Sequence, residues 1–256
     1  MNDLKIIFED NDILVLDKEA GIVVNRAQTV HDETLQDQLA EYLSLGSGLG
    51  IGGRAGIVHR LDRETSGLMV VAKAQGVYDN LLAQFAERKI KKEYVALVHG
   101  KIVQDYGTIE APIGRVGGYG KFGTVLGGRP SRTDFEVSGR CNLKDAVLEG
   151  LMEEEGKNRK NYFKNHARFY TQVLAHPLSG RTHQVRVHLK SIGYPLVSDS
   201  IYAPTKLLKL DLRWCPRLFL HAKSLEFTHP GTKKAIFFES ELPEDLKNVL
   251  ENLASC

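Results

Sequence analysis

Short apolar runs rich in β-branched residues recur along the chain, at Ile6–Phe8, Ile13–Asp17, Gly21–Asn25, Leu68–Ala72, Glu93–His99, Thr133–Val137 and Phe169–Leu174, with a last pair at Leu218–Leu220 and Leu225–Phe227. Turn residues separate them, which predicts a large, mainly antiparallel sheet. Helical periodicity is confined to four places. Thr34 to Leu45 opens on a capping threonine and repeats apolar residues at Leu35, Leu39, Tyr42 and Leu43. Val77 to Phe85 gathers Leu81, Leu82 and Phe85 on one face, and Arg181 to Ile192 and Glu244 to Leu253 complete the set. Strands and helices mixed in this way predict one α+β domain spanning residues 1–256. The segment 142–164 is dense in charge, carries Glu153-Glu154-Glu155 and has little apolar pattern, so a solvated insertion or mobile arm is expected there.

Composition narrows the picture only a little. The 256 residues are 42% hydrophobic and 26% charged, values of a folded protein. The formal charge is +2, so binding to a polyanion has to come from local clusters of Lys and Arg rather than from bulk charge. Cys141, Cys215 and Cys256 are far apart and form no CxxC pair, which argues against a disulfide framework and against a cysteine zinc site. The N-terminus lacks an apolar core of the secretory kind and no stretch approaches a membrane span, so a cytoplasmic protein is expected.

Gly48-Leu49-Gly50-Ile51-Gly52-Gly53 matches the dinucleotide pattern G-x-G-x-x-G, yet it follows a helical pattern and precedes Arg54 to Leu61, which reads as loop and strand. The fingerprint requires the reverse context, so these glycines are read as a connection.

Three constellations carry possible chemistry. In Gly56-Ile57-Val58-His59-Arg60-Leu61-Asp62-Arg63-Glu64-Thr65-Ser66-Gly67-Leu68 an ionisable cluster lies between two apolar runs, and taken alone Asp62 reads as a turn residue. In Ser179-Gly180-Arg181-Thr182-His183-Gln184-Val185-Arg186-Val187-His188-Leu189, helical spacing puts Arg181, Val185, His188, Leu189 and Ile192 on one stripe and His183, Arg186 and Lys190 on another. The first stripe would direct Arg181 to the interior, although a lone Arg at a helix start more commonly reaches out to solvent, and the second would face phosphates. In Lys91 to Val98, strand alternation puts Lys92, Tyr94, Ala96 and Val98 on one face, where a Tyr is most simply core packing.

In combination and order, HRLDxxTSG (His59 to Gly67), KxYxALVxG (Lys92 to Gly100), GRTHQxRVHL (Gly180 to Leu189), GYPLxxDxxY (Gly193 to Tyr202) and LHAxxLxFxHP (Leu220 to Pro230) are similar to the RluA-like RNA pseudouridine synthases. The similarity runs over residues 4 to 240. It implies the pseudouridine synthase fold, with an RNA-binding cleft across a large mixed sheet flanked by helices. It also implies Asp62 as the catalytic Asp, Arg181 as its ion-pair partner and Tyr94 as the active-site aromatic. His59, Arg60, Arg63, Thr65, Lys92, His183, Arg186 and Lys190 are the expected RNA contacts. Arg60, two residues before Asp62, is the candidate for clamping a nucleotide drawn out of its stack. Further cations at Arg54, Lys89 and Lys91 would add salt dependence.

The chain departs from the family in two loops. Asp17-Lys18-Glu19-Ala20-Gly21 stands where a Lys-Pro-Ala-Gly turn is usual, and Ser198 stands where a Gly usually precedes Asp199. The core pattern starts almost at Met1, so no S4-type domain is expected before it.

The isomerisation implied is redox-neutral and needs no group donor, so neither cofactor nor metal is expected, and the protein is read as a monomer acting on ribosomal or transfer RNA. Two other classes compete. An RNA-binding assembly factor would keep the cleft without catalysis, and a metal-dependent hydrolase would use the many histidines. Asp62, Tyr94 and Arg181 together speak against the first. Against the second, His183 and His188 fall on poorly matched helical faces and no HExxH pair is present.

Overall fold

The computed structural model describes residues 4–45, 50–117, 120–153 and 155–255. From the N-terminus come β1 (Ile6–Glu9), β2 (Ile13–Lys18), α1 (Leu35–Tyr42), β3 (Ser66–Ala72), α2 (Gln75–Ala86) and β4 (Lys91–His99). Next are β5 (Tyr106–Glu110), β6 (Ile113–Arg115), β7 (Phe122–Thr124), β8 (Arg132–Leu143), α3 (Asp145–Met152), α4 (Lys157–His166) and β9 (Phe169–Pro177). The remaining elements are α5 (Gln184–Ser191), α6 (Thr205–Asp211), β10 (Leu220–Thr228), β11 (Ala235–Glu239), α7 (Glu244–Glu251) and β12 (Leu253–Ser255). This is a mixed α+β fold with mainly antiparallel strands and flanking helices. Contacts divide the chain into two compact units, Met1–Lys92 with Ala222–Glu241, and Glu93–His221 with Leu242–Cys256.

In the first unit the strand order is β1-β2-β3-β10, with β11 paired to β10. β2 and β3 run antiparallel without a break, from Ile13 opposite Ala72 to Lys18 opposite Gly67. Every residue of both strands is buried. That explains their near-continuous apolar sequence, since a strand covered on both faces has no reason to alternate. Val77, Tyr78 and Leu81 of α2 pack on Ile13, Val15, Leu68 and Val70. Thr34 caps α1 in a reciprocal box with Asp37, as the opening threonine predicts.

Gly21–Asn25, expected as a strand, is irregular. Gly21 turns the chain at φ +92°, and the carbonyls of Val23 and Val24 accept the first free N–H groups of α1, from Leu35 and Gln36. Backbone that serves a helix end in this way is not available to a ladder. The glycine-rich stretch is a 3-10 turn at Ile51–Gly53 where described, with no helix after it; Gly48 and Leu49 lie outside the described residues.

In the second unit the order is β4-β9-β8-β12, with β5 also on β8. Strand alternation in β4 holds: Val95 and Leu97 enter one apolar cluster, while Ala96 and Val98, with Tyr94 packed beside them, enter another. The segment 142–164 is corrected by the structure. It completes β8, forms α3 and most of α4, and places Leu143, Leu148, Leu151, Met152 and Phe163 in the main core of this unit. Its charges are the outer faces of two short helices whose apolar residues are few but fully used.

Candidate active site

The Asp62 loop belongs to the first unit. Ile57 makes a single bridge to Val71, after which the chain leaves the sheet until Ser66. Arg60 and Asp62 therefore share a loop, not a strand face. The Asp62 carbonyl accepts the Thr65 N–H at 3.1 Å, closing a tight turn of the kind that favours Asp at its first position. The turn is held from several sides. Lys18, 1% exposed, donates its ammonium to the carbonyls of Glu19 at 2.7 Å, Ile22 at 3.1 Å and Arg63 at 3.2 Å. Gly21 N–H also donates to the Arg63 carbonyl, and Arg63 Nε donates back to the Gly21 carbonyl at 3.1 Å. Thus the residue after Asp62 is tied to the Lys18–Gly21 turn, where this chain departs from the family, so the Glu19 there leaves the anchoring intact. Gly67 closes the loop at φ +117°, where a Cβ would lie 2.3 Å from the Ala222 carbonyl oxygen, so no other residue fits.

His59 is part of the same frame. Its Nε2 accepts the Val70 N–H at 3.1 Å and its ring lies 4.7 Å from that of Phe85. Burial, assisted by the nearby Lys92 charge, pushes the imidazole pKa down to about 3. It is neutral with its proton on Nδ1, and it acts as a brace. Burial also lowers the Lys92 ammonium to about 8. Asp62 is half-buried, Arg60 and Arg63 are exposed, and Thr65 is buried at 1%, which leaves Thr65 no surface for a phosphate.

The second unit carries Tyr94, half-buried on β4, and the loop before α5. The helix expected from Arg181 begins at Gln184, because His183 takes a left-handed conformation at φ +56° and ends any helical path before it. Gln184, buried at 5%, organises the loop: its Oε1 accepts from Ser179 Oγ at 2.7 Å and from Arg181 N–H at 3.1 Å. Its Nε2 donates to the Arg132 carbonyl at 2.9 Å and Thr133 Oγ1 at 3.1 Å. A primary amide offers two acceptor and two donor positions, and this one uses all four. Arg181 is half-buried, and its Nε is buried with no hydrogen-bond partner among the described residues.

Arg186 differs from its expected role. It is 2% exposed and forms a two-pronged pair with the fully buried Asp199, Nε to Oδ2 at 2.8 Å and Nη2 to Oδ1 at 2.7 Å, so it faces the interior and not phosphate. Asp199 Oδ1 also accepts the N–H groups of Ile201 and Tyr202 at 3.0 Å each. Tyr202 in turn accepts the Phe122 N–H at 3.1 Å, and its hydroxyl shares a 2.8 Å hydrogen bond with His183 Nδ1. A buried ion pair thus sets a tyrosine, and the tyrosine sets His183. Lys190 stays exposed, its Nζ 5.7 Å from the Tyr202 ring centre. Ser198 sits at φ +57°, which explains the family preference for Gly; its hydroxyl donates to the Cys215 carbonyl at 2.6 Å.

Most other histidines are consumed by packing. His188 bridges Thr133 Oγ1 at 2.8 Å and the Ala111 carbonyl at 3.1 Å, and His99 pairs with Asp211 at 2.8 Å. Asp10, Asp12 and His229 bring three ligand-type atoms within 4.8 Å of one another. Hydrogen bonds already occupy both ring nitrogens of His229: Nε2 donates to Asp10 at 2.8 Å, and Nδ1 accepts from Gly231 and Thr232 at 3.1 and 3.0 Å. A cation there would have to displace these bonds, so the trio is a clamp between two turns.

A family model described as RNA pseudouridylate synthase matches residues 12–191. An uncharacterized RNA pseudouridine synthase of Bacillus subtilis is 37% identical over 253 residues, covering 98% of this chain and 73% of that protein. Ribosomal large subunit pseudouridine synthase D of Pseudomonas aeruginosa is 38% identical over 253 residues, covering 95% of this chain and 69% of that protein. Among solved structures, human RNA Pseudouridylate Synthase Domain Containing 1 matches with a TM-score of 0.69 at 26% identity, covering 99% of this chain and 89% of that one. Fold and sequence together define an isomerase that acts on uridine in RNA. The chain belongs to the RNA pseudouridine synthases, in the RluA-like family.

Proposed function

We propose that this enzyme modifies uridines in structured RNA, large-subunit ribosomal RNA first, with Asp62 as the catalytic carboxylate, Arg181 as its cationic partner and Tyr94 as the aromatic beside the base. The ribosomal assignment rests on the names of relatives such as the Pseudomonas aeruginosa protein. The observation that carries the catalytic reading is the bracing of the Asp62 turn by Lys18, Gly21, His59 and Gly67, which exceeds what an ordinary solvated turn requires. Reactive groups need this kind of fixed placement. Arg181 supports the reading as well, since a buried guanidinium Nε without an acceptor is costly unless an anion is brought to it.

The reaction breaks the bond from C1′ to N1, turns the uracil and forms a bond from C1′ to C5. A proton leaves C5 and one is gained at N1, so the atoms balance with no cofactor and no metal. Asp62 supplies the carboxylate, and an Arg partner fixes its orientation through a two-pronged hydrogen bond. Tyr94 holds the detached base and has a hydroxyl suited to proton transfer at the base carbon. Arg60, Arg63 and Lys190, exposed in the structure, contact phosphates, with Arg54, Lys89 and Lys91 adding to the field. The protein works as a cytoplasmic monomer. Among the described residues no helix is long and apolar enough to cross a membrane.

The test is to map pseudouridines in total RNA from cells with and without the gene. Loss of one or a few pseudouridines from large-subunit ribosomal RNA is the expected result. An unchanged ribosomal map with losses in transfer RNA overturns the substrate assignment, and no loss anywhere overturns the activity.

A further inference from the structure

Helix α4 lies mostly within the segment expected as a solvated insertion or mobile arm and is instead anchored by Phe163, 2% exposed in the core. Its ten residues contain no acidic side chain. At 100° per residue, Lys157, Lys160 and Lys164 fall within about 60° of arc, and Asn158, Asn161 and Asn165 form the adjoining stripe. All but the half-buried Lys160 are exposed. Asparagine is a poor helix former, so three of them on one exposed face is not a choice made for helicity. Beyond the amides lies Tyr162, stacked on His166 at 4.3 Å, with Lys206 from the neighbouring α6 5.1 Å from its ring centre. Lys206 continues the basic surface onto a second helix.

Among the described residues, local acids do not neutralise this face. Glu155 is taken up by Arg159 at 3.0 Å and Arg213 at 3.8 Å. Among the described residues Lys157, Lys164 and Lys206 have no ion pair. Lysines alternating with amides on a rigid helix suit a phosphate backbone, where Lys neutralises charge and Asn donates to phosphate or sugar oxygens without reading sequence.

We propose that the α4 face, extended by Lys206, is an accessory binding surface for the phosphate backbone of the RNA substrate. The inference rests on RNA being the substrate. The occupant is RNA rather than an acidic protein because the enzyme already has to hold a polyanion, and this face adds to the same attraction.

The experiment measures binding of an RNA duplex of about 40 base pairs by fluorescence anisotropy across a range of KCl concentrations. It compares the parent with Lys157→Gln/Lys164→Gln/Lys206→Gln, leaving Lys160, whose Nζ is held by the Glu153 carbonyl. Each phosphate contact contributes about 0.7–0.9 to the slope of log affinity against log salt, so the triple variant should lose about 2 to 3 from the slope's magnitude and about tenfold or more in affinity. The matching triple Arg variant keeps the charge and should behave like the parent. Removing two charges elsewhere, in Lys233→Gln/Lys234→Gln, should have a much smaller effect. A steep parent slope that the triple Gln variant leaves unchanged overturns the α4 assignment alone. A parent that binds with a flat slope overturns phosphate-dependent RNA recognition by the protein as a whole.

Discussion

Replacing Arg186 by Met keeps most of the side-chain volume and removes the charge that faces Asp199. The carboxylate is then left fully buried, still accepting two N–H groups from Ile201 and Tyr202 but without its guanidinium. Breaking a buried pair from one side costs about 3–5 kcal/mol. The two surviving bonds hold the effect near the lower end, about 3 kcal/mol. Urea unfolding followed by circular dichroism measures it, with Asp199→Asn and the double variant completing a cycle. Each single change should destabilise strongly, and the double should cost at least 2 kcal/mol less than the sum, because it strands neither charge. An Arg186 that served phosphate would behave otherwise: its loss would leave stability within about 0.5 kcal/mol and remove about 0.7–0.9 from the slope of log RNA affinity against log salt. That pair of results would refute the buried-pair account and with it the chain of contacts from Asp199 through Tyr202 to His183.

Three further outcomes follow from burial. His59 stays neutral in the fold down to about pH 3 but takes up a proton near pH 6.5 when unfolded, so stability falls as the pH drops through that window, by about 1.4 kcal/mol per unit. Between pH 7.5 and 5.0 the unfolding free energy of His59→Gln should therefore decline by about 2 kcal/mol less than that of the parent, and identical profiles would show that His59 is not the buried neutral group described. Phe163→Ala should cost about 3–5 kcal/mol in urea unfolding, whereas a solvated arm would lose almost nothing. Burial pushes the Cys215 thiol up to about 12, so peptide mapping after alkylation of the native protein at pH 8 should find Cys215 unmodified, and rapid labelling would contradict its burial.

Much of the fold was legible because its signals are local. Thr34 with Asp37, Pro243 before the acidic start of α7, and the apolar runs of β2, β3, β4 and β9 announce their elements within a few residues. β11 went unread because only its Ile236 and Phe238 approach the core, leaving a weak alternation in Ala235–Glu239. The start of α5 was misplaced because a single left-handed residue, His183, is invisible to periodicity, and the shift took Arg181 out of the helix. Arg186 was misassigned for a related reason: a charged residue on a helical wheel looks exposed until its partner, thirteen positions away at Asp199, is brought beside it. Gln184, the organiser of the loop, stood in the motif without a readable role, since an amide's value lies in four partners that only the fold assembles. The motifs around Asp62 were readable as a resemblance, whereas the bracing by Lys18 joins residues 45 positions apart and needed the structure.

The most direct test of the account concerns Asp62 itself. Asp62→Asn keeps the shape and the backbone turn to Thr65, yet removes the ionised carboxylate. Pseudouridine in a ribosomal RNA transcript, measured by chemical labelling, should become undetectable, while filter retention of the same transcript stays within a few-fold of the parent or tightens slightly as a negative charge is lost. A folded Asp62→Asn protein that still converts uridine would contradict the assignment of the catalytic carboxylate.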